Sequence, residues 1–214
     1  MFIDTWNIND DVLEYIDSTH TYLVNGVMVE SVTQYISRKL GSKYGFVGPQ
    51  VLERACNYGT KVHEEIEMYE KYNVDDKTSK ELSNYKFLKK AFDFKCLDNE
   101  FPIIIYDKNN KPIMAGRVDM MLTRNGELGL ADIKTSNALD KERLSLQLNL
   151  YALGVKQSYN KEITFLVGLH IRHDVRKFVE VKIDNKILGG EIWKKNQLLN
   201  IPYLLLFSKQ YSLY

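Results

Sequence analysis

Hydrophobic positions change period twice in the first half of the chain. In "HTYLVNGVMVESVT", residues 20–33, two short β-rich runs flank Asn25-Gly26. That dipeptide favours a two-residue hairpin turn because both residues tolerate positive φ. Ser31 then stands where a helix needs an N-cap, which predicts a short helix through Leu40. From Pro49 to about Tyr72, apolar residues recur at Val51, Leu52, Ala55, Val62, Ile66 and Tyr69, the spacing of one helical stripe turned to a core. Leu82, Tyr85, Leu88 and Phe92 keep the same period and predict a second helix from about Ser79 to Cys96.

The period then shortens. "FPIIIYD" (101–107), "KPIMAGRVDMMLTR" (111–124) and "ELGLADIKTS" (127–136) read as strands, with turns at Asn109-Asn110 and Asn125-Gly126. A helix from about Asp140 to Val155 follows, then two strands in "EITFLVGLHIRH" and "RKFVEVKID". The stretch from Leu188 to about Leu198 reads as helical, and the tail "IPYLLLFSKQYSLY" fits neither period. This order predicts an α/β (α+β) fold: a central mixed sheet with helices packed on it, preceded by an N-terminal hairpin, with residues 116–136 at the sheet centre. With no repeat or linker, the chain reads as one domain: N-terminal hairpin and helices over 1–100, sheet core over 101–185, and C-terminal helix and tail over 186–214.

Composition narrows the class. With 214 residues, 44% hydrophobic and 27% charged, the chain has the makings of an ordinary globular domain with a sizeable core. No window holds the run of about 18 apolar residues that a membrane span needs, and the N-terminus is acidic, so a cytoplasmic, unprocessed chain is expected. Net charge is +1, which by itself points to no polyanionic partner. The basic clusters at 37–43, 85–95 and 193–196 read as solvated helix faces unless a chemical site lies beside them. Cys56 and Cys96 belong to no paired metal-ligand spacing.

The chemistry lies in "GRVDMMLTRNGELGLADIKTS", residues 116–136. Residues two apart on a strand share a face, so Asp132 and Lys134 project together while Ala131 and Ile133 project oppositely. A hairpin through Asn125-Gly126 returns the chain antiparallel and can bring Asp119 towards Asp132. Two carboxylates converging at a partly buried edge repel unless a cation compensates them. Magnesium fits such a pair, taking one or two carboxylates and leaving positions for water and phosphate oxygens. Lys134 then stands ready to act as a base or to stabilise charge on phosphate. The competing reading, a salt bridge on a strand surface, conflicts with the apolar flanks of "GLADIK", where charge without a role is costly.

"GRVD", twelve further residues, "DIKTS" and then "QLNLYA" resemble the PD-(D/E)XK nuclease superfamily, in its RecB-like and phage-type exonuclease branch. "GTKVHEEIEMY" resembles that branch's first motif, and "HTYLVNGVMVESVTQYIS" the N-terminal hairpin of phage-encoded members. The resemblance covers roughly residues 20–155 and implies a restriction-endonuclease-like core. It implies metal-binding carboxylates at Asp119 and Asp132, a catalytic lysine at Lys134, and a further metal ligand in the Ile133 carbonyl. It gives Gly116 the role of letting the strand bend or approach metal and phosphate.

His63 resembles the motif-one histidine that binds or orients a metal. Glu67, four residues on and on the same helix face, is a candidate metal ligand, with Glu64 the competing acid. Gln147 and Tyr151, again four apart, match a Gln-x-x-x-Tyr motif and are expected at the active site or on DNA, although Tyr151 can equally be core packing with a polar tip. Thr135 and Ser136 are candidate donors to the DNA backbone. His20, His170 and His173 read as structural or surface residues.

The resemblance further implies one or two Mg2+ or Mn2+ ions as cofactors. The two cysteines fall short of the four that hold an iron–sulfur cluster in related branches, so no cluster is expected. The activity implied is exonuclease digestion of linear duplex DNA ends in phage or prophage recombination, in the cytoplasm of a bacterial host. A single-strand annealing protein and a homo-oligomeric ring are the partners implied. A restriction-like or structure-selective endonuclease and a non-catalytic DNA-binding module are the alternatives.

Overall fold

The computed structural model describes residues 2–42, 45, 47–75 and 79–190. Its N-terminal stretch, where the pattern predicts no element, forms an antiparallel pair, β1 (Ile3–Ile8) and β2 (Asp11–Ile16), turned at Asn9 with φ 53°. The expected hairpin follows as β3 (Thr21–Val24) and β4 (Val27–Ser31). Asn25 and Gly26 both have positive φ, 52° and 74°, as a type I′ turn requires.

Ser31 caps α1 (Val32–Leu40) in a reciprocal box. Its hydroxyl accepts from the Gln34 N–H, and the Gln34 amide oxygen accepts from the Ser31 N–H. The long helix α2 (Pro49–Tyr72) turns Val62 and Ile66 inward.

The second long helix is shorter than its periodicity predicts. Ser79 caps α3 (Lys80–Ala91), and the chain then turns at Asp93, whose φ is 47°. Phe92 stacks on Phe178 with centroids 3.9 Å apart, and Phe94 is buried. These aromatic contacts pull the chain out of the helix, and Cys96 falls in a strand, β5 (Lys95–Tyr106). The order continues β6 (Pro112–Arg124), β7 (Glu127–Lys134), α4 (Lys141–Tyr159), β8 (Phe165–Arg172), β9 (Val175–Val181) and a short α5 (Asn185–Leu188). The helix expected over 188–198 and the tail lie, from residue 191 onward, outside the described residues.

These strands make one mixed sheet in the order β1-β2-β3-β4-β6-β7-β8-β9, with β5 paired to β6. β6 is its hub. One edge of β6 pairs antiparallel with β5. The other is shared: β4 runs parallel to it at Met114 and Ala115, and β7 antiparallel from Met120 to Arg124. β4 and β7 therefore part beside residues 116–119, and the functional residues gather at that gap.

Helices cover both faces of the sheet. α1, α4 and α5 pack on one side over Ile103, Val118, Leu130 and Leu166. α2 and α3 pack on the other over Met120, Ala131, Ile133 and Leu169. A third cluster joins the N-terminal strands to Ile104, Tyr106 and Ala115.

The end of α4 also covers part of the β5 edge. Gln157 and Ser158 each exchange two hydrogen bonds with that backbone, at Tyr106 and Ile104, so the edge there offers no row of unpaired groups. Among the described residues no helix is long and apolar enough to cross a membrane.

Candidate metal centre

β7 is buried on both faces, which explains its nearly continuous apolar run. As strand geometry predicts, Ala131 and Ile133 join the cluster under α2 and α3, while Leu130 faces α4. Asp132 shares Leu130's parity and has no exposed surface. Its carboxylate lies 2.6 Å from the Lys134 Nζ, yet neither oxygen receives a directed hydrogen bond. A carboxylate so placed leans on the Lys134 charge where burial normally brings several directed donors.

Asp119 sits where β6 changes partners. Met114 and Val118 contribute to the core under α4, whereas Met120 and Leu122 contribute to the core on the opposite face. The strand thus switches faces around Asp119. On β5, Glu100 stands opposite it, between the pairs Asn99–Met120 and Phe101–Val118. Glu100 has φ 50°, a left-handed backbone within a strand, which costs a non-glycine residue about 1–2 kcal/mol. Such strain persists where surrounding contacts fix it, as it does at functional sites.

The Asp119 Oδ2 accepts from the Ile133 N–H at 2.7 Å. This bond ties β6 to β7 beside Asp132 and leaves the Ile133 carbonyl to His63 on α2. His63 Nε2 is 3.2 Å from that carbonyl oxygen. Its Nδ1 is 3.3 Å from Glu100 Oε1 and 3.7 Å from Asp119 Oδ2. Ligand atoms of His63, Glu100 and Asp119 all lie within 4.8 Å of one another, close enough to share a metal ion.

Three of the ligands expected from the sequence, His63, Asp119 and the Ile133 backbone, therefore meet, while Asp132, next to Ile133 on β7, lies outside the group whose ligand atoms are within 4.8 Å. Glu67 does not join them: it pairs with Lys71 at 2.7 Å, one helical turn along. Glu64 is exposed. The acid beside His63 is instead Glu100, which the motifs do not indicate. A signal for it existed, because counting outward from the Asn109-Asn110 turn places position 100 opposite position 119.

On the α4 side a polar chain runs inward. Lys134 Nζ donates to Gln147 Oε1 at 2.9 Å, and Gln147 Nε2 donates to the Tyr151 hydroxyl at 3.1 Å. Gln147 thus meets the lysine as its helical register with Tyr151 suggests. Tyr151 itself is buried, 4% exposed, so it supports Gln147 from the core and does not present a surface to DNA.

Gly116 lies against Tyr151 and Val32. A Cβ there would come within 3.0 Å of Tyr151 Cε1 and 3.2 Å of Val32 Cγ2. Its bareness admits the tyrosine ring and Val32 of α1.

Thr135 and Ser136 are half-buried. Two side chains of β8 hold their carbonyls: Arg172 donates to Thr135 O and His170 Nε2 meets Ser136 O, each at 2.7 Å. The Ser136 hydroxyl donates to Ala138 O within the same loop. His170 is buried and His173 exposed, in line with structural and surface roles.

The electrostatics describe an acid cluster short of positive charge. Burial raises the Asp132 carboxyl to about 6; Lys134 opposes the rise and Asp119 adds to it. Burial likewise raises Asp119, with His63 opposing and Glu100 reinforcing. Burial alone would lower His63, but Asp119 and Glu100 outweigh it and lift the imidazole to about 9.

The site fits a divalent cation. Cis ligands of an octahedral magnesium are about 3 Å apart, close to the separation of His63 Nε2 and Ile133 O. Asp132 adds a buried carboxylate without directed donors.

No family model and no curated protein matches this chain. Among solved structures it is similar to the crystal structure of SSO0001, with 17% identity and a TM-score of 0.44, over 79% of this chain and 77% of that one.

Proposed function

We propose that this chain is a metal-dependent deoxyribonuclease of the PD-(D/E)XK type, acting as an exonuclease on the ends of linear duplex DNA. One observation carries the reading: Asp132 is fully buried with the Lys134 ammonium 2.6 Å from its carboxylate, and on the next residue of β7 the Ile133 backbone meets both Asp119 and His63. Asp119, Asp132, Ile133 O and His63 Nε2 are the groups that would hold Mg2+ or Mn2+. Such an ion, when bound, polarises a phosphate oxygen and lowers the pKa of water.

The protein's own side chains supply the rest. Lys134 is held by Asp132 on one side and Gln147 on the other, so its ammonium is aimed before substrate arrives. There it offers positive charge to a phosphate that becomes more negative as water attacks, and it can hold or release a proton at Nζ. Gln147 and Tyr151 fix the lysine's direction from behind. Arg172 and His170 fix the Thr135-Ser136 backbone that follows it, where a DNA strand would be positioned.

The exonuclease mode rests on the sequence resemblance, as do a single-strand annealing partner, a ring-shaped oligomer and a bacterial cytoplasmic setting. The test is a time course on end-labelled linear duplex and on covalently closed plasmid, with Mg2+, with Mn2+, with EDTA, and with Lys134→Ala. Loss of the linear DNA alone, dependent on metal and lysine, is the expected result. Cutting of the circle replaces the exonuclease with an endonuclease on the same site. No cutting of either substrate sinks the nuclease reading.

A further inference from the structure

Glu100 meets His63 at Nδ1, whereas the Ile133 carbonyl meets the ring at Nε2. The two nitrogens of an imidazole diverge, so Glu100 Oε1 on Nδ1 is turned away from an ion bound by Nε2 beside the Ile133 carbonyl, whereas Asp119, 3.7 Å from Nδ1, is tied to the Ile133 backbone through its Oδ2. The second Glu100 oxygen is engaged as well: Arg117 Nε lies 2.9 Å from Oε2. A guanidinium in that position repels a second cation at Glu100. Arg117 is itself anchored in the N-terminal strands, with its guanidinium 5.2 Å from the centre of the Tyr15 ring and 3.9 Å from the Asp4 carboxylate.

We infer that Glu100 is a positioning residue: it accepts from His63 Nδ1–H, turns Nε2 towards the metal site, and is held in its left-handed conformation by Arg117 and the N-terminal strands. The inference rests on the metal-centre reading above. A carboxylate behind a ligating histidine fixes the tautomer and ring orientation, and its loss costs roughly 10- to 100-fold in metal affinity. It also gives the N-terminal strands a part in the site, since their Tyr15 and Asp4 hold the arginine that holds Glu100.

The test uses the full chain and two readouts. In EDTA, long-range proton–nitrogen spectra of the imidazoles should show the His63 Nδ1 resonance moved by Glu100→Ala and that of His170 unmoved. In Mn2+ calorimetry, Glu100→Ala should weaken binding about 10- to 100-fold, Glu100→Gln less, because it keeps an acceptor, and Arg117→Ala less again. Combining Glu100→Ala with His63→Ala should weaken binding no more than His63→Ala alone, with each variant shown to be folded by its circular dichroism at the assay temperature.

An additive loss in the double variant makes Glu100 a ligand in its own right and overturns the proposal. An unmoved His63 resonance alongside normal Mn2+ binding overturns it too, and leaves the metal centre standing. Wild-type protein that binds Mn2+ no better than Asp119→Ala removes the metal centre itself, and the role of Glu100 with it.

Discussion

Glu81 on α3 and Asp132 on β7 are both buried acids beside β8, yet their surroundings drive them in opposite directions. Burial pushes Glu81 up, but the Tyr58 hydroxyl at 2.5 Å and the His173 N–H at 2.9 Å more than offset it, and its carboxyl ends below the ordinary range. Burial pushes Asp132 up as well, and there Lys134, 2.6 Å away, offsets only part of the rise while Asp119 adds to it. The contrast separates two uses of a buried charge. Around Glu81 every contact joins α2, α3 and the β8–β9 turn, so the acid serves the fold. Around Asp132 burial outweighs the one lysine beside it, which on the proposed reading suits an acid kept for a cation at a cost to stability.

The largest break in this comparison comes from exchanging each acid for its amide. Asp132→Asn should abolish cleavage and Mn2+ binding while leaving the metal-free protein at least as stable, because it removes a charge whose burial outweighs the attraction of Lys134 and raises the carboxyl to about 6. Glu81→Gln should do the reverse, costing about 1–3 kcal/mol through its weakened buried bonds, with kcat intact. Denaturant unfolding in EDTA beside a cleavage assay reads both. A severe loss of stability in Asp132→Asn would end the distinction.

Lys134→Ala should lower kcat by roughly 10²- to 10⁴-fold and keep metal-dependent DNA binding, measurable by fluorescence anisotropy. Full activity in that variant would place the chemistry elsewhere.

Next in size is pH. Asp132, raised from 3.8 to about 6, contributes stability that is complete below its unfolded value and lost as pH rises to 6. His63, raised from 6.5 to about 9, contributes stability that is complete below 6.5 and lost as pH rises through 9. In EDTA the unfolding midpoint should therefore fall between about pH 4 and 9, and saturating Mn2+ should reverse most of that fall. Glu81, lowered, acts the other way and loses its contribution only as pH falls through its depressed folded value. A metal-free profile that rises or stays level over this range would contradict the acid-cluster picture.

The smallest effect belongs to Gln147→Ala, which withdraws the amide oxygen that Lys134 donates to. A loss of about tenfold in kcat with little change in KM is expected, and an equal loss in Lys134→Ala/Gln147→Ala as in Lys134→Ala alone would show that it acts through the lysine.

Where the chemistry follows from short-range rules, the chain already contained it. Asp132 and Lys134 share a strand face because side chains alternate, Gln147 and Tyr151 meet because helix positions four apart do, and Ser31 and Asn25-Gly26 set a cap and a turn by their own conformational preferences. Those features need only a few neighbouring residues. The end of α3 and the strands β1 and β2 were less legible, because contacts such as Phe92 on Phe178 come from far along the chain and override local period.

Tertiary structure alone decided the rest. Whether Tyr151 faces DNA or core depended on Gly116 and Val32 arriving beneath it. Whether the acid beside His63 is Glu67 or Glu100 depended on strand pairing: one turn of α2 draws Glu67 to Lys71, while the β5–β6 register and a left-handed backbone bring Glu100 to His63 and Arg117. The physical reason is the range of the interactions. Local sequence fixes which way a side chain leaves its own element, but which charges share a desolvated space depends on how the elements pack, and burial and partners there set whether an acid is a brace or a ligand.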